Sequence, residues 1–107
     1  MDPIQERIDK LVHEYDIVLF MKGTPEFPQC GFSQRVAAIL DAYGVPYAAV
    51  NVLLDNDIRE GVKVYANWPT IPQLYVKGEF IGGCDIVSEM HESGELAELL
   101  KPFLPEK

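Results

Sequence analysis

Cysteine is scarce in this sequence, which has only Cys30 and Cys84 among its 107 residues. A small secreted domain that depends on disulfides for its stability usually carries more. Two cysteines far apart in sequence instead favour a reducing compartment, in which the thiols stay free for chemistry. The small number of cysteines therefore argues against a scaffold held by disulfides and leaves both thiols as candidates for chemistry.

Basic residues are also few, with nine Lys and Arg against 17 Asp and Glu, for a net charge of −8. This balance argues against a nucleic-acid binder and against a polybasic membrane anchor, because both need a basic face. No apolar run approaches the ~20 residues of a membrane span. The first ten residues lack the apolar core of a signal peptide and are too acidic for a transit sequence. We therefore expect the protein in the cytoplasm, or in an organelle after processing.

Helix signals and apolar runs alternate along the chain and predict one α/β domain over residues 1–107 with no linker or repeat. The order of elements is α-β-α-β-α-β-β-α-α, which predicts a four-stranded mixed sheet flanked by helices on both faces. The predicted elements are a helix after the Asp2-Pro3 cap, a buried strand Ile17–Met21, a helix Gly31–Tyr43, a strand Tyr47–Val52, a helix Asp55–Tyr65, a hairpin Gln73–Val76 and Glu79–Ile81, a helix from Cys84 or Asp85, and a short last helix through Leu96 and Leu100.

Cys30 stands between a strand with its Gly- and Pro-containing loop and the start of the next predicted helix. A sulfur at a helix N-terminus lies near unpaired N–H groups and the positive end of the helix dipole. That surrounding favours the thiolate, which is both the nucleophile and the metal ligand. Cys30 is therefore the candidate catalytic residue and metal ligand, and a buried structural cysteine is the alternative.

Three segments together resemble the monothiol glutaredoxin family. The segment Cys30-Gly31-Phe32-Ser33 is similar to the family's CGFS signature, and Trp68-Pro69-Thr70-Ile71-Pro72 resembles its WPT-x-P loop, whose last proline is cis. The segment Gly82-Gly83-Cys84-Asp85 resembles its GGCD turn. The motifs occur in the family's order and spacing, so the resemblance covers about residues 5–101 and implies a thioredoxin fold.

The resemblance also implies a cofactor and partners. A [2Fe–2S] cluster usually takes four thiolates. The family's arrangement is a homodimer bridged by the cluster, in which each chain supplies Cys30 and one bound glutathione. BolA-family proteins and apo iron–sulfur proteins are then the expected partners, and cluster assembly or transfer is the expected function.

For glutathione itself, the sequence offers a partner for each polar group. Lys22 and Arg59 match the family's glutathione-binding positions, and Lys63 lies four residues from Arg59 on the same helix face. A cis bond before Pro72 would present the backbone of Ile71 to the tripeptide. The N–H groups of Cys84 and Asp85, at a helix start, suit the γ-glutamyl carboxylate, and the Asp85 carboxylate suits the amino group.

Two other functions stay open from the residues alone. The chain could be a glutathione-dependent thiol–disulfide oxidoreductase, in which Ser33 cannot resolve the mixed disulfide and an external thiol must. It could also be a redox sensor, in which Cys30 and Cys84 pair as a disulfide. A second ligand set for the cluster also stays open, because Cys30 and Cys84 from two chains together make four thiolates.

Overall fold

The structure is a computed structural model that describes residues 1–105. The predicted domain ends at residue 107, so its last two positions lie outside the described residues, and the single domain stays a prediction. The helices are α1 (Pro3–Glu14), α2 (Gly31–Tyr43), α3 (Asn56–Ala66), α4 (Cys84–Ser93) and α5 (Glu95–Leu100), and the strands are β1 (Ile17–Met21), β2 (Ala48–Asn51), β3 (Gln73–Val76) and β4 (Glu79–Gly82). Short 3₁₀ turns follow β2 and α5. Within residues 1–105, every helix is too short or too polar to cross a bilayer.

The four strands form one mixed sheet in the order β2-β1-β3-β4. Strand β1 pairs parallel with β2 and antiparallel with β3, and β3 pairs antiparallel with β4. All five residues of β1 are buried, which fits a central strand with both faces covered. The predicted mixed sheet and element order are thus confirmed.

The sheet separates two hydrophobic clusters, because successive side chains of a strand point to opposite faces. Ile17, Leu19 and Met21 of β1 pack with α2, α4 and α5. Val18 and Phe20 pack on the other face with α1 and α3. Helices therefore cover both faces of the sheet, with α2, α4 and α5 on one face and α1 and α3 on the other.

Strand β2, helix α3 and the end of β4 differ from their predicted bounds by one residue, and at two of these places polar side chains redirect the backbone. The strand predicted as Tyr47–Val52 is shorter, since the Asn51 side chain accepts a hydrogen bond from the Leu53 N–H and starts a 3₁₀ turn. The helix predicted from Asp55 begins one residue later, because Asp55 is its N-cap and accepts hydrogen bonds from two backbone N–H groups of the first turn.

Candidate functional site

All six predicted site residues line one groove of about 550 Å³. They come from four separate parts of the chain: the loop after β1 with the start of α2, helix α3, the proline loop before β3, and the start of α4. The groove is lined by Lys22, Cys30, Phe32, Arg59, Lys63, Trp68, Pro69, Thr70, Ile71, Pro72, Gly83, Cys84, Asp85 and Ile86. The fold therefore gathers residues that are more than half the sequence apart, such as Lys22 and Asp85, into one surface.

Cys30 is the N-cap residue of α2, with extended backbone angles, and its side chain is half-buried. The sulfur makes no regular cap hydrogen bond, but the backbone N–H of Ser33 lies close enough to lower the pKa of the Cys30 thiol, and this is the largest influence on it. Partial burial opposes the effect, while the Phe32 N–H, the Lys22 charge and the Ser33 hydroxyl add to it. The groove thus contains a thiol that ionises more readily than an ordinary cysteine.

The loop that carries Lys22 is fixed through its backbone. The Lys22 N–H donates to the Ser33 hydroxyl at 3.0 Å, and its carbonyl accepts from the Gln29 N–H at 2.9 Å. The next N–H, of Gly23, donates to the Asn51 side chain at 3.0 Å. Gly23 has a φ of 91°, and a Cβ there would collide with the loop's own backbone. The Lys22 ammonium therefore reaches the groove from an immobilised backbone.

The proline loop, residues 68–72, is held in place by hydrogen bonds from a buried polar residue. Gln73 is fully buried, and its side-chain amide donates to the carbonyls of Trp68 and Thr70 at 3.2 and 3.3 Å. Its carbonyl oxygen accepts from the Tyr75 hydroxyl at 3.0 Å. The Ile71–Pro72 bond is cis, as the resemblance implied. The Ile71 side chain packs in the core, so what this residue offers to the groove is its backbone.

The start of α4 closes against this loop. A Cβ on Gly83 would lie 3.2 Å from the Pro72 carbonyl oxygen and 3.3 Å from the Trp68 ring nitrogen, so only glycine permits this approach without displacement. Gly83 is also the N-cap, so no side chain caps the first N–H groups of α4. The Cys84 sulfur lies 4.0 Å from the Ser88 hydroxyl. An uncapped helix start therefore lines the groove beside the exposed carboxylate of Asp85.

The charge of the groove differs from that of the chain. Among residues 1–105, the charged side chains that line it are three basic ones, Lys22, Arg59 and Lys63, and one acidic one, Asp85. Lys63 pairs with Glu60 at 3.0 Å, one turn earlier on α3. Within residues 1–105, Lys22, Arg59 and Asp85 form no ion pair, so their charges remain available to a ligand. The groove suits a small molecule with more than one carboxylate and an amino group.

Several residues that shape the site were not predicted as part of it. Gln73 reads as an ordinary strand residue in the sequence, and only its position under the proline loop reveals its function. Ile86, which follows the Gly82-Gly83-Cys84-Asp85 segment, also lines the groove. Ser33 was treated only as a missing thiol, although a serine three residues into a helix that starts with cysteine is a possible capping pattern.

The metal-ligating capacity of the site is small. Among the described residues, no group of three or more His, Cys, Asp or Glu side chains could hold a metal ion. Both cysteines are free. The groove therefore offers a metal at most two thiols, Cys30 and Cys84, so a site of four thiolates would need ligands from outside the chain.

Comparison with known proteins identifies the chain's relatives. The glutaredoxin family model matches residues 17–81. The chain is 54% identical over 98 residues to a monothiol glutaredoxin of the cyanobacterium Synechocystis, covering 92% of each protein. Across the curated relatives that it matches, the chain spans as little as 20% and as much as 92% of their length.

Solved structures show the same likeness. Reduced apo GrxS14 of poplar superposes with a TM-score of 0.80 at 50% identity, over 92% of this chain and 91% of the poplar chain. A buckwheat glutaredoxin–glutathione complex superposes with a TM-score of 0.81 at 27% identity, over 92% of this chain and 88% of the other. The thioredoxin fold is thereby confirmed. With Ser33 in place of a second thiol and a monothiol relative of matching length, the chain belongs to the glutaredoxin family, among its monothiol members.

Proposed function

We propose that the groove binds glutathione with its thiol beside Cys30. Three features support this: the unpaired cations Lys22 and Arg59 suit the glycyl carboxylate, the uncapped start of α4 suits the γ-glutamyl carboxylate, and Asp85 suits the amino group. The Ile71 backbone is then free to pair with the tripeptide as a neighbouring strand would. The buckwheat structure contains glutathione on the same fold, which agrees with this assignment. The main support for the glutathione-binding proposal is that all of these groups line the same groove as Cys30.

The thiol chemistry follows from the lowered pKa of Cys30 and from Ser33. The Cys30 thiolate attacks the glutathione sulfur of a mixed disulfide, the partner leaves as its thiolate, and Cys30 becomes glutathionylated. Ser33 has no sulfur with which to displace that glutathione. A second glutathione thiolate must therefore do so, releasing glutathione disulfide and regenerating Cys30. The expected activity is slow deglutathionylation, with little reduction of protein disulfides.

The same groups suit a cluster carrier. A [2Fe–2S] cluster usually takes four thiolates, and two chains with two bound glutathiones supply that number through Cys30 alone. The surface beside Cys30 is open, since a Cβ on Gly31 would meet nothing within 4 Å and Phe32 is 63% exposed. A second copy can therefore approach. The cluster is cargo in this proposal, and two exchangeable ligands make it easy to pass on.

The proposed location and partners follow from the proposed role as a cluster carrier. Free thiols and glutathione as a ligand suit the cytoplasm, where we place the protein. Apo iron–sulfur proteins are the proposed recipients, and BolA-family proteins are further proposed partners. The homodimer is proposed only for the cluster-bound state, because each chain supplies half of the thiolates.

Anaerobic reconstitution tests the cluster proposal. The chain is incubated with ferrous iron, sulfide and glutathione, and sizing chromatography is read at protein and cluster wavelengths. We expect the cluster to elute with a dimer, and the apo chain to elute as a monomer, because ligand binding to the dimer stabilises it by mass action. A cluster that elutes with a monomer, or a dimer that persists without cluster and glutathione, contradicts the bridging arrangement.

S-methylglutathione gives a matched control for the role of the glutathione thiol. It has the same carboxylates and amino group but no free thiol, so it fills the groove without donating a thiolate. We expect it to release the cluster and dissociate the dimer. Retention of the cluster would show that glutathione is not a ligand, and would favour Cys84 as the second thiolate.

Calorimetric titration with glutathione tests the groove separately from the cluster. Arg59→Ala is expected to weaken glutathione binding about fivefold, the effect of one partly exposed ion pair. Arg35→Ala is the matched control, because Arg35 is exposed, lies outside the groove and binds the Ser88 hydroxyl at 2.7 Å. Equal effects of both substitutions would contradict the assignment of the groove.

A further inference from the structure

Gly61 lies in the middle of helix α3, where glycine is unfavourable because it loses the most backbone freedom on folding. A Cβ at this position would lie 2.7 Å from the Cγ2 methyl of Ile4 and 2.9 Å from the Cδ1 methyl of Ile8, both on α1. These distances are well below ordinary van der Waals contact between carbon atoms. Glycine at position 61 is therefore what lets α3 pack this closely on α1.

The side chain of Ile4 has little freedom to make room. Its Cγ2 methyl is attached directly to Cβ, and a β-branched residue in a helix has one strongly preferred χ1 rotamer. The Cδ1 methyl of Ile8 is at the flexible end of its side chain, but Ile8 is fully buried. A methyl group at position 61 is therefore expected to push α3 away from α1.

Polar contacts along the length of α3 hold it at this distance from α1. The Arg7 guanidinium lies 3.1 Å from the carboxylate of the α3 N-cap. In the middle of the helix, the Gln5 side-chain amide donates to the Gly61 carbonyl at 2.9 Å. Near the end of the helix, the Tyr65 hydroxyl donates to the Asp9 carboxylate at 2.7 Å. Helix α1 thus fixes the placement of α3 at three points.

The other side of α3 carries two of the cations of the groove. Arg59 and Lys63 line the groove, and each is two residues away from Gly61. Because a helix turns by about 100° per residue, both lie on the side of α3 roughly opposite to Gly61. The Lys63 ammonium is paired with Glu60 of the same helix. A displacement of α3 from α1 would therefore carry both cations with it.

We propose that Gly61 is a positioning residue for the ligand groove. By allowing the close packing of α1 and α3, it sets where Arg59 and Lys63 lie relative to Cys30. The inference rests on the proposed function, since that function assigns the α3 cations to a carboxylate of glutathione. It extends the site to Gly61 and to helix α1, which lie outside the groove itself.

The test measures glutathione binding by calorimetry and Cys30 alkylation by iodoacetamide. All variants carry Cys84→Ser, so that Cys30 is the only thiol. Gly61→Ala adds the methyl group, and Gly61→Ala with Ile4→Ala also removes the methyl group that it would meet. Ile4→Ala alone is one control. Leu100→Val is the other, because Leu100 is buried on the opposite face of the sheet and its truncation tests a general loss of packing.

We expect Gly61→Ala to weaken glutathione binding about threefold, within the contribution of a partly exposed ion pair. Cys30 alkylation should not change, because α2 packs on the other face of the sheet. Adding Ile4→Ala should restore the affinity, and both controls should leave it unchanged. Full affinity in folded Gly61→Ala, or no restoration by Ile4→Ala, overturns the inference.

A double-mutant cycle tests whether the effect passes through the cations. In a chain with Arg59→Ala and Lys63→Ala, α3 no longer presents a cation to the groove. Adding Gly61→Ala to that chain should therefore cause no further loss of glutathione affinity. A threefold loss in that background as well would show that Gly61 acts by another route, and would overturn the inference.

A crystal structure of Gly61→Ala gives a measurement that needs no ligand. We expect α3 to lie farther from α1 than in the parent chain, with Arg59 displaced relative to Cys30. An α3 that has not moved overturns the inference, whatever the affinity. A parent chain that binds no glutathione would instead contradict the proposed function.

Discussion

Cys30 and Cys84 occupy comparable places in the fold. Both are half-buried, both line the same groove, and each stands at the start of a helix. Cys30 is the N-cap of α2, whereas Cys84 is the first residue of α4, after the N-cap Gly83. The two cysteines thus differ by one position relative to the helix that follows.

That one position changes what each sulfur meets. An N-cap side chain lies over the free N–H groups of the first turn, whereas the side chain of the first helical residue lies beside them. The Cys30 sulfur accordingly has the Ser33 and Phe32 N–H groups and the Lys22 charge nearby. The Cys84 sulfur has the Ser88 hydroxyl at 4.0 Å, within its own helix. The capping position therefore gives the Cys30 sulfur the backbone N–H groups that lower the pKa of its thiol.

Exchanging each thiol for a hydroxyl tests the comparison most strongly. Cys30→Ser should abolish both glutathionylation and cluster binding, because no other thiolate occupies the capping position. Cys84→Ser should keep both, since we assign only backbone contacts to Cys84. Mass spectrometry after treatment with glutathione disulfide, and cluster absorbance after reconstitution, measure the two results. Loss of the cluster in Cys84→Ser with glutathione present would reverse the assignment.

The pH dependence of Cys30 alkylation tests the capping position next. Because the pKa of Cys30 is lowered in the folded chain, its thiolate persists as the pH falls below the range of an ordinary cysteine. In Cys84→Ser, Cys30 should therefore react faster at neutral pH in the folded chain than in denaturant. The rate in the folded chain should fall only as the pH drops through the lowered pKa. Equal rates in the folded and the denatured chain would refute the structural cause.

Charges near each cysteine should act differently. Lys22→Ala removes a carboxylate partner and also a charge that lowers the pKa of Cys30, so glutathione binding should weaken about fivefold and Cys30 alkylation should slow. Asp85→Asn should weaken binding by a similar amount without changing Cys30 alkylation. Calorimetry and alkylation on the same samples measure both. If Asp85→Asn slows Cys30 alkylation as much as Lys22→Ala does, the expected difference between these two charges is contradicted.

The smallest expected effect concerns Lys63. Glu60 holds its ammonium at 3.0 Å, and both side chains are partly exposed. Glu60→Gln frees that cation, so glutathione should bind slightly more tightly, by less than about twofold, as for an exposed ion pair. Glu89→Gln removes an exposed acidic residue from α4, outside the groove, and should leave binding unchanged. A weakened affinity in Glu60→Gln would show that Glu60 itself contributes to the groove.

Much of the fold follows from local patterns in the sequence. The unbroken apolar run Ile17–Met21 became the central strand, and the limits of α2 at Gly31 and Tyr43 were predicted correctly. Gly44 ends that helix with a φ of 73°, in the left-handed region of the backbone that favours glycine. Boundaries failed where a side chain captured a nearby N–H group, as Asn51 and Asp55 do. Such a choice depends on small energy differences that apolar spacing does not report.

The sequence by itself determined the motifs around the predicted reactive thiol, since Cys30, the missing second cysteine and the proline loop are all read from neighbouring residues. Only the tertiary structure decided which distant groups share one groove with it. The sheet order places the start of α4 against the proline loop, and β1 delivers Lys22 to the start of α2. It also decided that Ser33 is buried against the Lys22 backbone, and that Lys63 is held by Glu60. These contacts join residues through space, and burial and hydrogen-bond geometry exist only once the chain is packed.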